Sequence, residues 1–369
     1  MKKLKKIPFI LSLLSLLTFF TPTNADIKVV ASIKPIHSLA SYLMDGVAKP
    51  DLIVDGYASP HGFAMKPSHA KMLQNADLIF WVGEDLENFL EKPLKSIAKK
   101  AEKIELMEIK GLQVLKFRER NIFDDHDDHG HDDHDDHGKK EDDHDDHDHD
   151  DHGKKEDDHD DHDHDDHGKK EDDHDDHGHD DHGKKDGHDD HDDHDGHEGH
   201  HHGEFDPHIW LDPVNAKVIL KEMAEHLIEN DSKNEATYKS NLKKALNDID
   251  KLTADVKAEL NKSVASIVFH DAYQYFEERF NVNILGAFTV NTDVMPGAEQ
   301  LKEIREIIEH DKVACVFSEP QFNPDIIKAV AKDMNIKTGV VDPLGATLNP
   351  GKSLYFDLIR KMSASFKGC

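Results

Sequence analysis

The run of residues 124–204 contains no apolar side chain, and this constrains the fold more than any other feature of the chain. It consists of Asp, His, Gly, Lys and Glu, and the 15-residue unit at 139–153 recurs unchanged at 154–168. A repeat with nothing to bury cannot offset the entropy lost on ordering its backbone. We therefore predict a disordered His/Asp-rich insert over 124–204, so that any core must come from the two flanking segments.

The insert also carries the net charge of the protein. The chain has 369 residues and a formal charge of −31, and the insert alone holds 39 acidic residues against eight lysines. The flanking segments are neutral in sum and have no basic footprint beyond the first residues, so we expect no nucleic-acid partner. Their roughly 260 residues are enough for two α/β lobes.

Residues 1–25 have the pattern of a signal peptide. A basic MKKLKK start is followed by an apolar run over 7–20 and by Thr23-Asn24-Ala25. The apolar run is too short for a membrane span, so we expect cleavage after Ala25 and no membrane insertion of the mature chain, with an uncleaved anchor as the alternative. Export would place Cys315 and Cys369 in an oxidising compartment, where a disulfide is plausible and two free thiols are the alternative.

Strand and helix signals alternate on both sides of the insert. Apolar runs such as 27–33 and 78–82 are followed by amphipathic segments such as 35–44 and 86–98, and the same alternation returns after residue 265. One long segment, 236–260, has apolar residues at three- and four-residue steps. This pattern predicts an α/β fold of two lobes, each with a mainly parallel sheet and flanking helices, joined by one long linking helix.

The same signals suggest domain boundaries. A cleft between two such lobes is a usual ligand site. The predicted parts are a signal peptide at 1–25, an N-terminal lobe at 26–230 that includes the insert, a linking helix at 231–262 and a C-terminal lobe at 263–369.

Three histidines outside the insert lie in loops or at strand ends: His61, His208 and His270. The carboxyl ends of strands in an α/β sheet face the ligand crevice. Three neutral imidazoles with an oxygen ligand or water suit tetrahedral Zn²⁺ better than Mn²⁺. Asp342, which closes the last predicted strand, is a candidate fourth ligand. Taken singly, each loop histidine is more often a solvated side chain, and spacing alone does not establish that the three meet.

The other four histidines outside the insert, His37, His69, His226 and His310, show no partner motif. Helix capping or solvent exposure accounts for His226 and His310. The match to H-E-x-x-H at 197–201 lies in Gly-interrupted low-complexity sequence, whereas protease chemistry needs that motif on a helix. We therefore expect no protease chemistry at this motif.

Five separated stretches carry a family resemblance. They are, in order, SPHGFAMKPS (59–68), DPHIWLDP (206–213), FHDAYQYF (269–276), CVFSEPQF (315–322) and VVDPLG (340–345). The sequence closely resembles ZnuA-type periplasmic zinc-binding proteins, the metal-capturing components of zinc ABC importers. The resemblance covers essentially the whole mature chain apart from the repeats of the insert.

This resemblance implies two α/β lobes joined by a rigid helix, with Zn²⁺ between the lobes. It implies His61, His208 and His270 as three ligands, with Asp342 or water in the fourth place. Manganese-binding relatives generally carry Glu at the position of His270, so this histidine favours zinc. The resemblance also implies a Cys315–Cys369 disulfide, a periplasmic location and a membrane permease as partner, and we expect a monomer.

The histidines of the insert lie two or three residues apart among Asp pairs, and this density favours metal binding. Flexible ligands lose chain entropy on chelation, so we predict weak, exchangeable Zn²⁺ sites there. The alternative is a solvated spacer. For the whole protein, the alternatives to zinc import are a periplasmic zinc buffer or adhesin and a zinc hydrolase. The predicted weak ligands include His126, His129, His131, His134, His144, His147, His149, His200, His201 and His202.

Overall fold

The structure is a computed structural model, and most of the chain outside the insert is described. The described residues are 26–118, 120–122, 203–260, 264–292, 294–332, 334 and 336–369. The predicted signal peptide, nearly all of the predicted insert and every predicted weak zinc ligand lie outside these residues. Those predictions and the exact domain boundaries stay predictions.

The first lobe contains a four-stranded parallel sheet with the strand order β2-β1-β3-β4. Its strands are β1 (Val29–Ile33), β2 (Asp51–Val54), β3 (Leu78–Trp81) and β4 (Glu102–Glu105). The connecting helices are α1 (Lys34–Leu43), α2 (Pro67–Asn75) and α3 (Glu84–Ser96). The two central strands are buried along their whole length, which explains their unbroken apolar sequences. Strand β4 was not predicted, because as an edge strand of sequence EKIE it buries only Ile104.

Two longer helices follow, α4 (Pro213–Asn230) and α5 (Glu235–Glu259). Helix α4 begins at a proline, and the side chain of Asp212 caps it by accepting a 2.8 Å hydrogen bond from the Val214 amide. Helix α5 has 25 residues. Each of its ends lies within one residue of the corresponding end of the periodic segment 236–260, from which the linking helix was predicted. Its buried residues recur with helical spacing and include Ala245, Ile249 and Leu252.

The second lobe repeats the topology of the first, with the strand order β6-β5-β7-β8 and only parallel pairs between these strands. Its strands are β5 (Ser266–His270), β6 (Ile284–Thr289), β7 (Cys315–Ser318) and β8 (Lys337–Val340). Its helices are α6 (Gln274–Phe280), α7 (Ala298–His310), α8 (Asp325–Ala331) and α9 (Leu354–Lys367). All four strands lie after residue 265, where the alternation of strand and helix signals returns, so the α/β class with two parallel sheets is confirmed.

The long helix and the last helix tie the two sheets into one unit. Helix α5 packs against α1 and α4 of the first lobe and against α9, and α9 also packs against α1. A disulfide joins Cys315, at the start of β7, to Cys369, the last residue, with their Cα atoms 5.9 Å apart. Within the part of the chain that the structure describes, no helix has the length and apolarity that crossing a membrane requires.

The chain just before the insert crosses to the second sheet, which the sequence did not indicate. Asn121 and Ile122 run antiparallel to β6, and the Asn121 carbonyl accepts a 2.8 Å hydrogen bond from the Ala287 amide. A side-chain carbon at Gly286 would lie 2.6 Å from that carbonyl oxygen, so this close approach requires glycine. The segment that leads into the insert is therefore anchored on the second lobe.

Candidate metal centre

Three histidines from three different parts of the chain meet in the structure. His61 lies in the loop between β2 and α2, His208 directly precedes the short turn that leads into α4, and His270 is the last residue of β5. One ligand atom of each histidine lies within 4.8 Å of the corresponding atoms of the other two. The three histidines singled out in the sequence are thus brought together at the carboxyl end of a parallel strand.

The three rings surround a common point without stacking on one another. The ring centroids are 5.7 Å apart for His61 and His208, 5.8 Å for His61 and His270, and 5.4 Å for His208 and His270. His208 and His270 are buried, whereas His61 is half-buried. The His61 side of the cluster is therefore the side nearest to solvent.

Buried carboxylates fix the orientation of two of the rings. Oδ1 of Asp206 lies 2.7 Å from Nδ1 of His208 and also accepts a hydrogen bond from the His208 amide, and Oε1 of Glu319 lies 2.7 Å from Nδ1 of His270. A carboxylate at Nδ1 holds the proton there and leaves Nε2 as the ligand atom. Nε2 of His270 is buried and has no hydrogen-bond partner among the described residues. This arrangement is typical of metal-binding histidines.

The electrostatic environment keeps His208 neutral. Burial, and then the charge of His270, lower the pKa of His208 well below its ordinary value. Burial also raises the pKa of Asp206 to about 7, although its hydrogen bond to the backbone of His208 and the charge of Arg118 oppose that rise. A neutral imidazole is the form that binds a metal ion.

His270 experiences opposing effects. Burial lowers its pKa, but the charge and hydrogen bond of Glu319, together with the charges of Asp271 and Asp206, outweigh burial and raise it. A cation bound at Nε2 would interact favourably with the same negative charge, because the carboxylates stabilise any positive charge at this position.

An arginine balances the acidic groups behind the histidines. The Arg118 guanidinium lies 3.1 Å from Oδ1 of Asp271 and 2.7 Å from Oε2 of Glu277. Burial raises the pKa of both carboxyls to about 7, while Arg118 opposes that rise. Because Asp271 directly follows His270, this ion pair holds the end of β5 in place.

Asp342, a candidate fourth ligand with water as the alternative, does not belong to the group of ligand atoms that the three histidines form. Its Oδ1 accepts hydrogen bonds from the amides of Leu344 and Gly345 and from the side chain of Gln321, and its Oδ2 accepts one from the amide of Ala346. The lone pairs of this carboxylate therefore stabilise the loop after β8, because buried amides need acceptors.

The walls around the histidines are largely apolar. Trp210 is fully buried, its ring centroid lies 5.4 Å from that of His208, and its Nε1 donates a 2.8 Å hydrogen bond to the Pro343 carbonyl. Such walls limit water access, which strengthens electrostatic interactions inside the site. The other apolar lining residues include Phe117, Phe205, Pro207, Val290, Phe322 and Leu344.

Sequence reasoning missed the residues that orient the histidines. Asp206 and Glu319 both lie within motifs that carried the family resemblance, DPH and FSEP, so an acidic residue beside a ligand motif was the available signal. Arg118 had no such signal, because its partners Asp271 and Glu277 are about 150 residues away.

Comparison with known proteins identifies the family. The family model described as "Zinc-uptake complex component A periplasmic", ZnuA, matches residues 29–369. The chain belongs to the ZnuA family. It is 42% identical over 343 residues to the high-affinity zinc uptake system protein ZnuA of Brucella abortus, covering 92% of this chain and 91% of that protein. It is 36% identical over 375 residues to the ZnuA protein of Haemophilus influenzae, covering 100% and 99%.

Solved structures share the fold. A crystal structure of ZnuA aligns with a TM-score of 0.61 at 17% identity, covering 92% of this chain and 98% of that one. A ZnuA deletion mutant with zinc bound aligns with a TM-score of 0.62 at 18% identity and the same coverage. The laminin-binding protein of Streptococcus agalactiae, described as an adhesin with metal-transporting activity, has a TM-score of 0.61 at 17% identity, covering 92% and 99%. At these identities the likeness establishes the ZnuA fold alone.

Proposed function

We propose that this protein captures Zn²⁺ in the periplasm with His61, His208 and His270 and delivers it to the membrane permease of a zinc ABC importer. The observation that carries the proposal is the convergence of three imidazoles, whose ligand atoms lie within 4.8 Å of one another. Three neutral nitrogen ligands suit tetrahedral Zn²⁺, which needs one further ligand.

Water is the fourth ligand in this proposal. The Asp342 carboxylate accepts hydrogen bonds from backbone amides such as those of Gly345 and Ala346. It could coordinate the cation only if such hydrogen bonds were broken. A water molecule could enter beside His61, the least buried of the three histidines. In this proposal the cation also leaves on the His61 side.

The names of the relatives support zinc as the cargo. Proteins 42% and 36% identical to this chain are named for high-affinity zinc uptake, and these names describe transport components rather than enzymes. The further parts of the proposal are a signal peptide cleaved after Ala25, a monomeric mature protein and weak auxiliary zinc sites in the His/Asp-rich insert. They rest on the sequence patterns described above.

Single substitutions test the ligand assignment. His61→Ala, His208→Ala and His270→Ala should each abolish the tightest equivalent of bound zinc in a titration against a chromophoric chelator. His310→Ala is the matched control, because His310 is an exposed histidine at the end of α7. Retention of the tightest equivalent in His270→Ala would contradict the assignment.

Delivery to a permease requires a separate test. Cells that lack the native gene should grow under zinc limitation with the wild-type protein and not with the three alanine variants, if each variant is exported at wild-type level. Growth with a variant that no longer binds the tightest equivalent of zinc would show that import does not require binding at the three histidines.

A further inference from the structure

A second group of metal-ligating side chains lies on the first lobe, where the edge strand β4 meets the last turns of α4. One ligand atom each of Glu102, His226 and Glu229 lies within 4.8 Å of the others. Glu102 is the first residue of β4, and the other two lie one turn apart on α4. None of these residues belongs to the candidate metal centre described above, so the group needs its own explanation.

The imidazole of His226 is held between carboxylates. Its Nδ1 lies 2.8 Å from Oε1 of Glu102 and 3.9 Å from Oε2 of Glu229, and its Nε2 lies 3.3 Å from Oε1 of Glu222. The Nδ1 atom is buried and makes no well-formed hydrogen bond to any described residue, despite the short distance to Glu102. The ring is therefore fixed, while Nδ1 faces two anionic groups without a satisfied hydrogen bond.

The contact with Glu222 suggests which nitrogen carries the proton. If Nε2–H donates to Glu222, then Nδ1 presents a lone pair to the carboxylates of Glu102 and Glu229. A lone pair facing two anions is unfavourable unless a proton or a metal cation lies between them. A histidine with one nitrogen bonded to a carboxylate and the other facing a shared space is the usual arrangement of a metal ligand.

Glu102 is itself held in position. Nδ2 of Asn230 donates a 2.7 Å hydrogen bond to Oε2 of Glu102 and also donates to the carbonyl of His226. These hydrogen bonds hold Oε1 of Glu102 beside Nδ1 of His226. The exposed fractions of the side chains are 19% for His226, 38% for Glu102 and 70% for Glu229. Water can therefore complete the coordination of a cation bound here.

We propose that Glu102, His226 and Glu229 form a second, surface site for a divalent cation, with Zn²⁺ as the best-suited ion. One imidazole nitrogen and two carboxylate oxygens are typical zinc ligands, whereas Mg²⁺ prefers oxygen ligands alone. The sequence-based interpretation of His226 as a capping or solvent-exposed residue is therefore replaced. The proposal does not depend on zinc capture at His61, His208 and His270.

The site can be tested in the full chain, although the insert contains many more histidines. Trypsin cleaves after Lys221 and Lys233, so the peptide 222–233 carries His226 as its single histidine. Deuterium exchange at the imidazole C2 position, followed by mass spectrometry of this peptide, reports on His226 alone. Zinc in excess over all histidines should slow this exchange, and the same concentration of magnesium should leave it unchanged.

Substitutions distinguish the proposed site from general effects of zinc. The double variant Glu102→Gln/Glu229→Gln should lose the protection, and Glu222→Gln should raise the zinc concentration that gives half-protection by about 10–100-fold. Glu225→Gln, an exposed residue of the same helix, is the matched control and should behave as wild type. Exchange that zinc does not slow in the wild type, or slows equally in the double variant, would overturn the proposal in favour of a protonated imidazole held by carboxylates.

Discussion

Oε1 of Glu319, which directly follows β7, lies 2.7 Å from Nδ1 of His270 at the end of the neighbouring strand β5. Asp206 makes the equivalent contact with His208 at the same distance. Two of the three clustered histidines thus have a buried carboxylate behind them, which selects Nε2 as the ligand atom. The zinc affinity of the proposed site should therefore depend on two carboxylates that are not themselves ligands.

Glu319→Gln and Asp206→Asn should each weaken zinc binding by about 10–100-fold, because the amide keeps a hydrogen-bond acceptor at Nδ1 but removes the negative charge. A competition titration of the tightest equivalent measures this change. Glu309→Gln, an exposed carboxylate on α7, is the control. Wild-type affinity in both orienting variants would mean that the carboxylates serve only folding.

Lys34 connects the two lobes behind the site. Its buried Nζ donates to the carbonyls of Gly345, Ala346 and Leu348, in the loop that the Asp342 carboxylate also holds. Lys34→Met should lower the free energy of unfolding by about 1.5–3 kcal/mol, because buried carbonyls lose a charged donor. Urea denaturation measures the loss, with the exposed Lys28→Met as control. An unchanged unfolding free energy would show that water replaces the ammonium group.

Much of the fold could be predicted because burial leaves a direct trace in sequence. Strands buried on both faces read as apolar runs, as in Leu78–Trp81, and a long amphipathic helix reads as a period of three to four residues, as in Glu235–Glu259. The edge strand Glu102–Glu105 left no such trace, because only one of its four residues is buried.

The site was less predictable, because side-chain partnerships are set by tertiary structure. The three histidines could be singled out from their positions in loops and at a strand end, but the prediction that they meet came from the family resemblance. Asp342 stayed a candidate ligand beside water, because neither the sequence nor the resemblance reveals that four hydrogen bonds already occupy that carboxylate. Lys34 and Gly345 are 311 residues apart, and no local pattern connects them.

The disulfide anchors the C-terminal residue on β7. It closes a loop between Cys315 and Cys369, which are 54 residues apart in sequence. Reduction of the wild type should lower the free energy of unfolding by about 2–5 kcal/mol, because the unfolded chain regains the entropy of the opened loop. Guanidinium denaturation with and without reductant measures this difference. The double variant Cys315→Ala/Cys369→Ala should not respond to reductant, and an equal response would assign the effect to another cause.

Glu87 should make stability depend on pH independently of zinc. It is fully buried in the first lobe, where its Oε2 accepts hydrogen bonds from the amides of Val82 and Gly83. Burial raises its pKa from 4.5 to about 7, and these hydrogen bonds only partly oppose that rise. At a pH between 4.5 and about 7, Glu87 is protonated in the folded protein and ionised in the unfolded chain. The contribution of Glu87 to the free energy of unfolding is therefore complete below pH 4.5, and it is lost as the pH rises through about 7.

Glu87→Gln removes this titration while its amide oxygen still accepts from Val82 and Gly83. The unfolding free energy of the variant relative to wild type should therefore rise by on the order of 3 kcal/mol when the pH is raised from below the lower pKa to above the upper one. Urea denaturation of both proteins across this range measures the change, and taking the difference removes the other carboxyls that titrate there. Glu225→Gln, an exposed control, should show a constant difference from wild type. A constant difference for Glu87→Gln as well would mean that Glu87 stays ionised in the folded protein.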